Sequence, residues 1–495
     1  MRRLDLAQSC PSLRATVRLK RIAFKNPSNS FTSTPMTPTL FSDLGLAPAM
    51  VANLNNLGYT QMTEIQAASI PLMLEQRDVI AQAKTGSGKT AAFGIGILAK
   101  LNPSYFAIQG LVVCPTRELA DQVSNELRKL ARFLGNIKIL TLCGGAPMRP
   151  QIASLEHGAH IVVGTPGRLL DHIGRNSIQL NTVQTLVLDE ADRMVDMGFY
   201  DDIAGIVAAC SPRRQTLLFS ATYPDDIRKA SAHFLREPAE IKVESQHATT
   251  QITQVFYEVS PEQRNAAVAK LLKHYRPVST LAFCNTKIHC RELAEELQQQ
   301  GISALALYGD LEQRERDEIL VLFANQSCSV LVATDVAARG LDIQTLGAVI
   351  NVDVSKDTEV HIHRIGRTGR AGEKGLALSL ATPNEKKWVR LIEEYQKQAV
   401  VWENLADLEP NEEHDLLAPM ISVCIMGGKK DKLRPGDILG ALTVEVGLQK
   451  AQVGKINVFE FMSYVALDRN ISQNALDQFG NCKIKGRQFK MRIVS

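Results

Sequence analysis

The chain has no C-x-x-C pair and no long apolar run, and these two absences exclude whole classes of protein. Its nine cysteines stand at isolated positions, so neither a zinc site nor a disulfide framework is indicated, and reduced buried thiols are expected. No stretch approaches the roughly 18 consecutive apolar residues of a membrane span, which predicts a soluble protein without a membrane partner. A composition of 45% hydrophobic and 22% charged residues is that of ordinary globular domains.

Acidic side chains are scarce at both ends of the chain. Residues 1–40 carry seven Lys or Arg and one Asp, and residues 420–495 carry twelve basic and six acidic side chains. Because the net charge of the whole chain is +4, residues 41–419 hold a net charge of about −8. A basic terminal segment on an acidic body predicts an appended site for a polyanion.

The first 40 residues are predicted to be a disordered basic extension. They are rich in Arg, Ser and Thr and poor in acids, as transit peptides are, but they also resemble upstream sequence translated before a start at Met36. We favour an upstream or disordered segment, because Met36 stands just ahead of the first folded stretch.

The remaining chain is predicted to form three domains, a natural number for 495 residues. Short buried runs alternate with amphipathic helix patterns over residues 41–243 and again over 244–400, which predicts an α/β fold of two doubly wound parallel sheets with a cleft between them. Residues 401–419 are acidic and bounded by proline, as linkers are. Residues 420–495 follow the order strand, helix, strand, strand, helix, strand, which predicts a small α+β domain like the RRM-type RNA-binding modules.

The stretch AQAKTGSGKT lies between an apolar run and an apolar helix pattern, where a phosphate loop is expected. Its glycines let the backbone approach an anion, Lys89 is expected to reach the β and γ phosphates, and Thr90 to hold Mg²⁺. An alanine replaces the first glycine of the pattern, so a simple glycine turn stays open as the alternative. The predicted nucleotide-binding residues of the loop are Ala83, Lys84, Thr85, Gly86, Ser87, Gly88, Lys89 and Thr90.

Two further motifs carry charge that suits phosphoryl chemistry. Asp189 and Glu190 follow a buried strand, so Asp189 is expected to hold Mg²⁺ and Glu190 to orient and deprotonate a water. An acidic helix start is the alternative, but the phosphate loop about 100 residues upstream favours catalysis. Arg364, Arg367 and Arg370 recur at every third position, so at least two could point at one site as arginine fingers do. The alternative is a solvated basic turn.

The basic C-terminal segment contains two cation clusters in turns, which favours nucleic-acid contact over a merely solvated loop. Residues 454–465 lack the aromatic signature of RNA-recognition modules, so stacking by Phe459, Phe461 or Tyr464 stays open. The predicted RNA-binding cations are Lys429, Lys430, Lys432, Arg434, Lys483, Lys485 and Arg487.

Together these motifs resemble those of DEAD-box RNA helicases, in the family's order, from about residue 41 to residue 382. The resemblance implies two RecA-like domains that use ATP and Mg²⁺ to act on RNA. It implies a nucleotide site with Phe41, Tyr59, Gln66 and Asp342, catalysis by Lys89, Asp189, Glu190, His363, Arg367 and Arg370, and coupling through Asp192, Ser220 and Thr222. It implies RNA contacts from Pro115, Thr116, Arg117, Gly144, Gly145, Thr165, Pro166, Gly167, Arg168, Gln313, Arg316 and Thr334. The sequence departs from the family at His361, where a tyrosine is usual.

The C-terminal segment resembles the DbpA branch of that family, whose members recognise a hairpin of large-subunit ribosomal RNA. This resemblance implies a monomeric, cytoplasmic helicase that unwinds or remodels short RNA duplexes while tethered to ribosomal RNA during ribosome assembly. An RNA clamp with little turnover, a general RNA chaperone without ribosomal specificity and a DNA helicase remain the alternatives.

Overall fold

The computed structural model describes residues 40–83, 86–223, 228–229, 231–243, 252–338, 346–369, 374–409 and 415–494. Within them, two seven-stranded parallel sheets are followed by a four-stranded antiparallel sheet. This confirms the predicted α/β fold of two doubly wound domains and a small α+β domain. The predictions for residues 1–39, Lys84, Thr85, Asp342 and Arg370 lie outside the described residues.

The first sheet has the strand order β3-β4-β2-β5-β6-β1-β7. Alternate strand residues pack into two separate apolar clusters, one on each face of the sheet, as side chains of period two must. The inner strands are therefore mostly apolar and buried on both sides, which is the signature of a parallel sheet covered by helices on both faces. Its strands are β1 Val79–Gln82, β2 Gly110–Val113, β3 Ile139–Leu142, β4 Ile161–Gly164, β5 Thr185–Asp189, β6 Gln215–Ser220 and β7 Ala239–Lys242. Its helices are Pro48–Asn56, Glu64–Leu74, Lys89–Leu98, Arg117–Leu130, Met148–Glu156, Pro166–Gly174, Ala191–Asp196 and Tyr200–Ala209.

The second sheet repeats this plan with the order β10-β11-β9-β12-β13-β8-β14. It too is parallel, with apolar clusters on both faces. Its strands are β8 Ile252–Glu258, β9 Thr280–Phe283, β10 Ala304–Leu307, β11 Val330–Ala333, β12 Ala348–Asn351, β13 Gly375–Ala381 and β14 Val401–Glu403. Its helices are Arg264–Tyr275, Lys287–Gln299, Gln313–Ala324, Asp335–Ala338, Thr358–Ile365 and Lys386–Gln396.

The segment predicted to be a linker, residues 401–419, differs from that prediction in its described part. Val401–Glu403 forms the edge strand β14 of the second sheet, paired with β8. Leu408 and Leu416 are buried in the core of the second domain, at 7% and 8% exposure. The described part of the segment therefore packs against the second domain and is not a free linker. The sequence did not indicate this, because acidic residues outnumber the few leucines that are buried.

The third domain has the predicted order of elements and the sheet order β16-β17-β15-β20. The first predicted helix of this domain is short, since Pro435–Gly440 passes into a π-helical turn at Ala441–Glu445. A two-stranded hairpin, unforeseen in the sequence, precedes the last strand. The strands are β15 Met420–Ile425, β16 Val453–Val458, β17 Ser463–Asp468, the hairpin β18 Lys483–Ile484 and β19 Arg487–Gln488, and β20 Met491–Val494, and the second helix is Gln473–Asn481.

Two predictions from absences can be compared with the described residues. Of the eight cysteines among them, seven are buried, as expected, and Cys482 is intermediate. Within the same part of the chain, no helix has the length and apolar character needed to cross a membrane.

Candidate functional site

The strand order of the first sheet divides its carboxyl edge into two halves. The motifs assigned to RNA follow β2, β3 and β4, which are neighbours on one side of the sheet. The phosphate loop, the Asp189 motif and the Ser220 motif follow β1, β5 and β6, which are neighbours on the other side. Because loops at the carboxyl ends of parallel strands meet at one edge, motifs far apart in sequence converge into two adjacent sites.

The phosphate loop has the geometry that anion binding requires. Gly86 and Gly88 have φ values of 82° and 92°, in the region open mainly to glycine, and the helix Lys89–Leu98 begins directly after them. The buried Ser87 Oγ has no hydrogen-bond partner among the described residues. An unsatisfied hydroxyl beside a helix N-terminus fits a bound phosphate group.

Gln66 connects the phosphate loop to the start of the helix Glu64–Leu74 through two hydrogen bonds. Its Oε1 accepts from the Thr63 backbone N–H at 3.0 Å, and its Nε2 donates to the Gly88 backbone oxygen at 3.1 Å. Phe41 is only 2% exposed and packs edge-on against Tyr59, with ring centroids 6.5 Å apart. The three residues predicted to contact the nucleotide base are thus held in place by other parts of the first domain.

Lys89, Asp189, Glu190 and Asp192 form a buried charge cluster with Arg193. Burial raises the pKa of Asp189 to about 7, with Glu190 adding to the rise and Lys89 opposing it. Burial lowers the pKa of Lys89, against the effect of the three carboxylates. Glu190 Oε2 lies 3.3 Å from Arg193 Nε, but the pair does not have hydrogen-bond geometry. Three carboxylates facing two cations leave a negative excess that fits a divalent cation at Asp189.

Asp192 is tied to the Ser220 motif, as the coupling prediction requires. Its Oδ2 accepts from the Thr222 backbone N–H at 3.0 Å and from Thr222 Oγ1 at 2.9 Å, while its own N–H donates to Ser220 Oγ at 3.3 Å. Burial acts to raise the pKa of Asp192, but these hydrogen bonds and Arg193 outweigh it and the pKa lies below its usual value. The two motifs are thus joined directly by hydrogen bonds, and their coupling role stays a prediction.

A cavity of about 460 Å³ lies between the first and second domains. Asp192 and Thr222 line it from one side, and His363 and Arg367 line it from the other. Burial and neighbouring cations, Arg193 first among them, lower the pKa of His363 to about 4, so the imidazole is neutral at pH 7. None of the described phosphate-loop residues lines this cavity. The cavity therefore lies beside Asp192 and Thr222, which are assigned to coupling, and not beside the phosphate loop.

The arginines predicted to act together differ in their surroundings. Arg364 is 2% exposed, and its Nε and Nη2 donate to the two carboxylate oxygens of Asp335, each at 2.7 Å. Arg364 and Arg367 both line the cavity, but the Arg364 guanidinium is held by Asp335 within the second domain and is not available as a finger. Arg370 lies outside the described residues. Burial and Arg364 lower the pKa of His361 to about 3, so this departure from the family places a neutral ring in the core.

Residues assigned to RNA in the two domains bind each other across the cleft. Arg117 Nη1 donates to Gln313 Oε1 at 2.7 Å, and Arg316 Nη2 donates to Glu118 Oε1 at 3.1 Å. The Arg316 and Glu118 side chains are both largely buried. These two contacts join the motifs assigned to RNA in the two domains, and both depend on the domains staying together.

The other core residues assigned to RNA lie in turns at strand ends. Thr116 Oγ1 accepts from the Leu119 N–H at 3.3 Å and so caps the helix Arg117–Leu130. Arg168 Nη1 donates to the Ala146 oxygen at 3.0 Å, and a Cβ at Gly167 would meet nothing within 4 Å. Pro115, Gly144, Gly145, Thr165, Pro166 and Thr334 follow directly on strands β2, β3, β4 and β11 or begin the next helix.

The two cation clusters of the third domain meet on one surface, which we call the basic face. The hairpin β18–β19 brings the second cluster beside the first, and Lys485 Nζ donates to the Lys432 backbone oxygen at 3.2 Å. Phe459 and Phe461 are 40% and 65% exposed, whereas Tyr464 is 3% exposed and packs against the second domain. The basic face consists of the exposed Lys429, Lys430, Lys432, Arg434, Lys483, Lys485 and Arg487.

Two parallel sheets, a phosphate loop with a following carboxylate motif on the first, and an arginine presented by the second define a two-domain nucleoside triphosphatase with an attached polyanion-binding domain. Family models agree along the chain: the DEAD/DEAH box helicase model matches residues 63–230, the helicase conserved C-terminal domain model matches 263–372, and the DbpA RNA binding domain model matches 422–493. The chain belongs to the DEAD-box family of ATP-dependent RNA helicases, as a DbpA-like member.

Individual relatives support this assignment over nearly the full length. The chain is 50% identical over 463 residues to the ATP-dependent RNA helicase DbpA of Escherichia coli, covering 92% of this chain and 100% of that protein. It is 46% identical to the DEAD-box ATP-dependent RNA helicase CshA of Bacillus subtilis, over 72% of each chain. Among solved structures, S. cerevisiae Dbp5 bound to RNA and ADP BeF3 is similar with 30% identity and a TM-score of 0.69, over 74% of this chain and 96% of that chain. The predicted enzyme class, use of ATP and RNA substrate are thereby confirmed.

Sequence reasoning missed several residues that shape the site. Glu118 is the partner of Arg316, and Arg193 is the partner of Glu190. The spacing of three between Glu190 and Arg193 on a predicted helix was an available signal, since such residues are neighbours on a helix surface. Nothing in the sequence pairs Glu118 with Arg316, because the contact joins two domains.

Proposed function

We propose that this RNA helicase unwinds or remodels short duplexes of large-subunit ribosomal RNA during ribosome assembly in the cytoplasm, as a monomer, with the basic face as its tether. The observation that carries the proposal is the convergence of two cation clusters, some 50 residues apart in the sequence, on one surface of a DbpA-type RNA-binding domain. Exposed Phe459 and Phe461 flank the basic turn and offer bases a stacking partner.

The core by itself is expected to grip RNA without reading its sequence. The loops assigned to RNA present backbone groups, glycines and cations, which contact phosphates and sugars rather than base edges. Specificity for a ribosomal hairpin must then come from the third domain. That domain is docked on the helix Gln313–Ala324, which also carries two residues assigned to RNA, so RNA bound at the basic face is held on a surface fixed to the core.

For hydrolysis we assign each described residue a role that its surroundings suit. Glu190 accepts the proton of the attacking water, because its buried carboxylate is close to Arg193 without being saturated by hydrogen bonds. Lys89 binds phosphate oxygens from the loop, and Arg367 and the neutral His363 approach from the second domain. Mg²⁺, when bound with ATP, neutralises charge on the phosphates, and Thr90 and Asp189 are the residues that would hold it.

ATP hydrolysis and RNA binding share residues that belong to different domains. Arg367 reaches the acidic motif, and Gln313 reaches Arg117, only while the two domains are together. If ATP and RNA each favour that arrangement, each must strengthen binding of the other by the same factor. RNA-stimulated turnover is the consequence, and it separates this proposal from an RNA clamp that turns over little.

The test measures ATPase activity of the full chain against a panel of ribosomal RNA fragments and a homopolymer RNA. Replacing Lys429, Lys430, Lys432 and Arg434 by Gln should raise the concentration of the preferred fragment needed for half-maximal stimulation at least about tenfold, through lost phosphate contacts. Stimulation by the homopolymer should hardly change, because the core still binds it.

The matched control replaces Lys450 and Lys455, exposed cations of the same domain outside the basic face, and should behave like the unaltered protein. Equal stimulation by every RNA would remove the ribosomal assignment and favour a general RNA chaperone. Tight RNA and ATP binding without turnover on any RNA would favour the clamp.

A further inference from the structure

A second polar cavity opens in the first domain at the edge of the sheet opposite the phosphate loop. It has a volume of about 770 Å³ and lies at the amino ends of β1, β5, β6 and β7. Strand β6 leads from Gln215 at this cavity to Ser220 beside Asp192, so at about 3.3 Å per residue roughly 16 Å separate it from the candidate active site. We call it the basal cavity, and its lining cations are Arg77, Lys100, Arg213, Arg214 and Arg236.

Lys100 and Arg214 are the two cations in the cavity wall, and among the described residues they donate hydrogen bonds only to neutral groups. Lys100 Nζ donates to Gln215 Oε1 at 2.6 Å. Arg214 donates to backbone carbonyls, including that of Ser211 at 3.1 Å, and its buried Nε has no partner among the described residues. Burial lowers the pKa of Lys100 to about 8. Desolvated cations without a carboxylate partner are costly, and an anion in the cavity would offset that cost.

The remaining three cations, Arg77, Arg213 and Arg236, are exposed at the rim. Among the described residues, none of the five lining cations forms an ion pair with a carboxylate. Asp78, at the cavity edge, is already engaged, since its carboxylate accepts from the backbone N–H groups of Thr216 and Arg236, each at 2.7 Å.

The basal cavity is therefore a positive site on an otherwise acidic body. Among the described residues, Asp78 and Glu237 are the only acids that line it, against five cations, whereas residues 41–419 as a whole carry a net charge of about −8. A concave surface lined by one sign of charge concentrates the potential and draws in ions of the other sign.

We propose that the basal cavity binds phosphate groups of an RNA strand. The cavity is separate from the basic face and from the residues assigned to RNA at the carboxyl ends of the strands, which we call the strand-end surface. Arginine is suited to phosphate because its planar guanidinium makes two parallel hydrogen bonds. The cavity is larger than one phosphate requires, and the rim arginines lie in solvent where a passing strand can reach them. The inference rests on the RNA-binding activity of the family and not on the preference for ribosomal RNA.

The experiment compares RNA affinity of the full chain over a range of salt concentrations, for a strand of about ten nucleotides and one of about sixty. The variant replaces Arg77, Arg213 and Arg236 by Ala. For the long strand, removal of three phosphate contacts should reduce the slope of log affinity against log salt by about 2 and weaken binding at least about tenfold at moderate salt. The short strand, which occupies the strand-end surface alone, should bind as before.

The matched control replaces Arg132, Arg175 and Lys229, three exposed cations of the same domain that do not line the cavity. An equal loss in this control would show a general charge effect and overturn the proposal, as would an unchanged salt slope in the cavity variant. Binding of inorganic pyrophosphate that depends on the rim arginines, with no change for RNA, would assign the cavity to a small anion and also overturn it. Arg213→Glu, a single exposed change, should weaken long-strand binding further than Arg213→Ala if the cavity holds phosphates.

Discussion

At the scale of single residues, the Arg117 side chain closely approaches the glycine pair Gly144 and Gly145, all three of them assigned to RNA. A Cβ on Gly145 would stand 1.7 Å from Arg117 Nη1, and one on Gly144 would stand 3.0 Å from Nη2. Gly145 also has a φ of 74°, which residues with a side chain rarely adopt. The absence of side chains at the two glycines therefore leaves room for the Arg117 guanidinium. From this position Arg117 donates a hydrogen bond to Gln313.

Gly145→Ala should displace the Arg117 guanidinium and break its bond to Gln313. We expect a cost of about 1 kcal/mol in stability from the left-handed backbone, and a fall of several-fold in RNA affinity and in RNA-stimulated ATPase activity. Gly135→Ala is the control, since Gly135 lies in an exposed turn of the same domain with nothing within 4 Å of an added Cβ. RNA affinity equal in the two variants would contradict the role given to the close approach.

At the scale of elements, two helices of different domains bring like charges together. Asp121, on the helix Arg117–Leu130, and Asp317, on the helix Gln313–Ala324, are both exposed side chains. Partial desolvation raises the pKa of Asp121 to about 6, and the charge of Asp317 adds to the rise. Arg128 opposes this rise and Glu118 adds to it. The usual pKa is 3.8, so the arrangement favours the protonated carboxyl, and contact between the helices becomes less favourable as the pH rises through about 6.

Asp121→Asn should therefore strengthen the contact between the two domains at pH 7.5 and flatten its dependence on pH between about 4 and 7. The measurement is energy transfer between one label in each of the first two domains, recorded against pH with RNA and a non-hydrolysed ATP analogue. Glu156→Gln, which neutralises an exposed acid of the first domain, should leave the wild-type profile. A profile that Asp121→Asn does not alter would show that this carboxyl plays no part in the contact.

At the scale of the whole molecule, the third domain is docked on the second through the helix Gln313–Ala324 and the turn that follows it. Glu318 accepts from the Tyr464 hydroxyl at 3.0 Å and pairs with Arg492. Ser422 makes a buried hydrogen bond with Ser327 at 2.9 Å. The same helix begins at Gln313, which bonds to the first domain, so it links the RNA-binding domain to the closing of the cleft.

Glu318→Ala should loosen this docking, because it removes one charge-assisted hydrogen-bond acceptor and leaves Arg492 without its partner. A loss of about 1–2 kcal/mol corresponds to a change of roughly ten-fold in the fraction docked, measurable by energy transfer between labels in the second and third domains. Glu292→Ala, an exposed acid of the same domain, is the control. If Glu318→Ala leaves the transfer efficiency unchanged, the docking does not depend on this residue.

Much of the fold and the local motifs could be predicted from the sequence, because they depend on neighbours in the chain. The short apolar runs, alternating with amphipathic helix patterns, predicted both sheets. The glycines and the lysine of the phosphate loop predicted a strand–turn–helix unit, and the structure shows the strand and the helix of this unit. The packing of the segment 401–419 could not be predicted, because its few leucines contact residues distant in sequence. Its many acidic residues suggested a linker instead.

What the sequence by itself determined is therefore the inventory of parts: two α/β domains, an anion-binding loop, a carboxylate motif and a basic module. Only the tertiary structure decided which parts meet. It placed Arg364 and Arg367, three positions apart, on the same cavity, but committed the Arg364 guanidinium to Asp335. It also joined Glu118 to Arg316 and gathered unpaired arginines into the basal cavity. The physical reason is that charge pairing and burial depend on distance in space, which sheet order and domain contact set, while sequence patterns report only on neighbours along the chain.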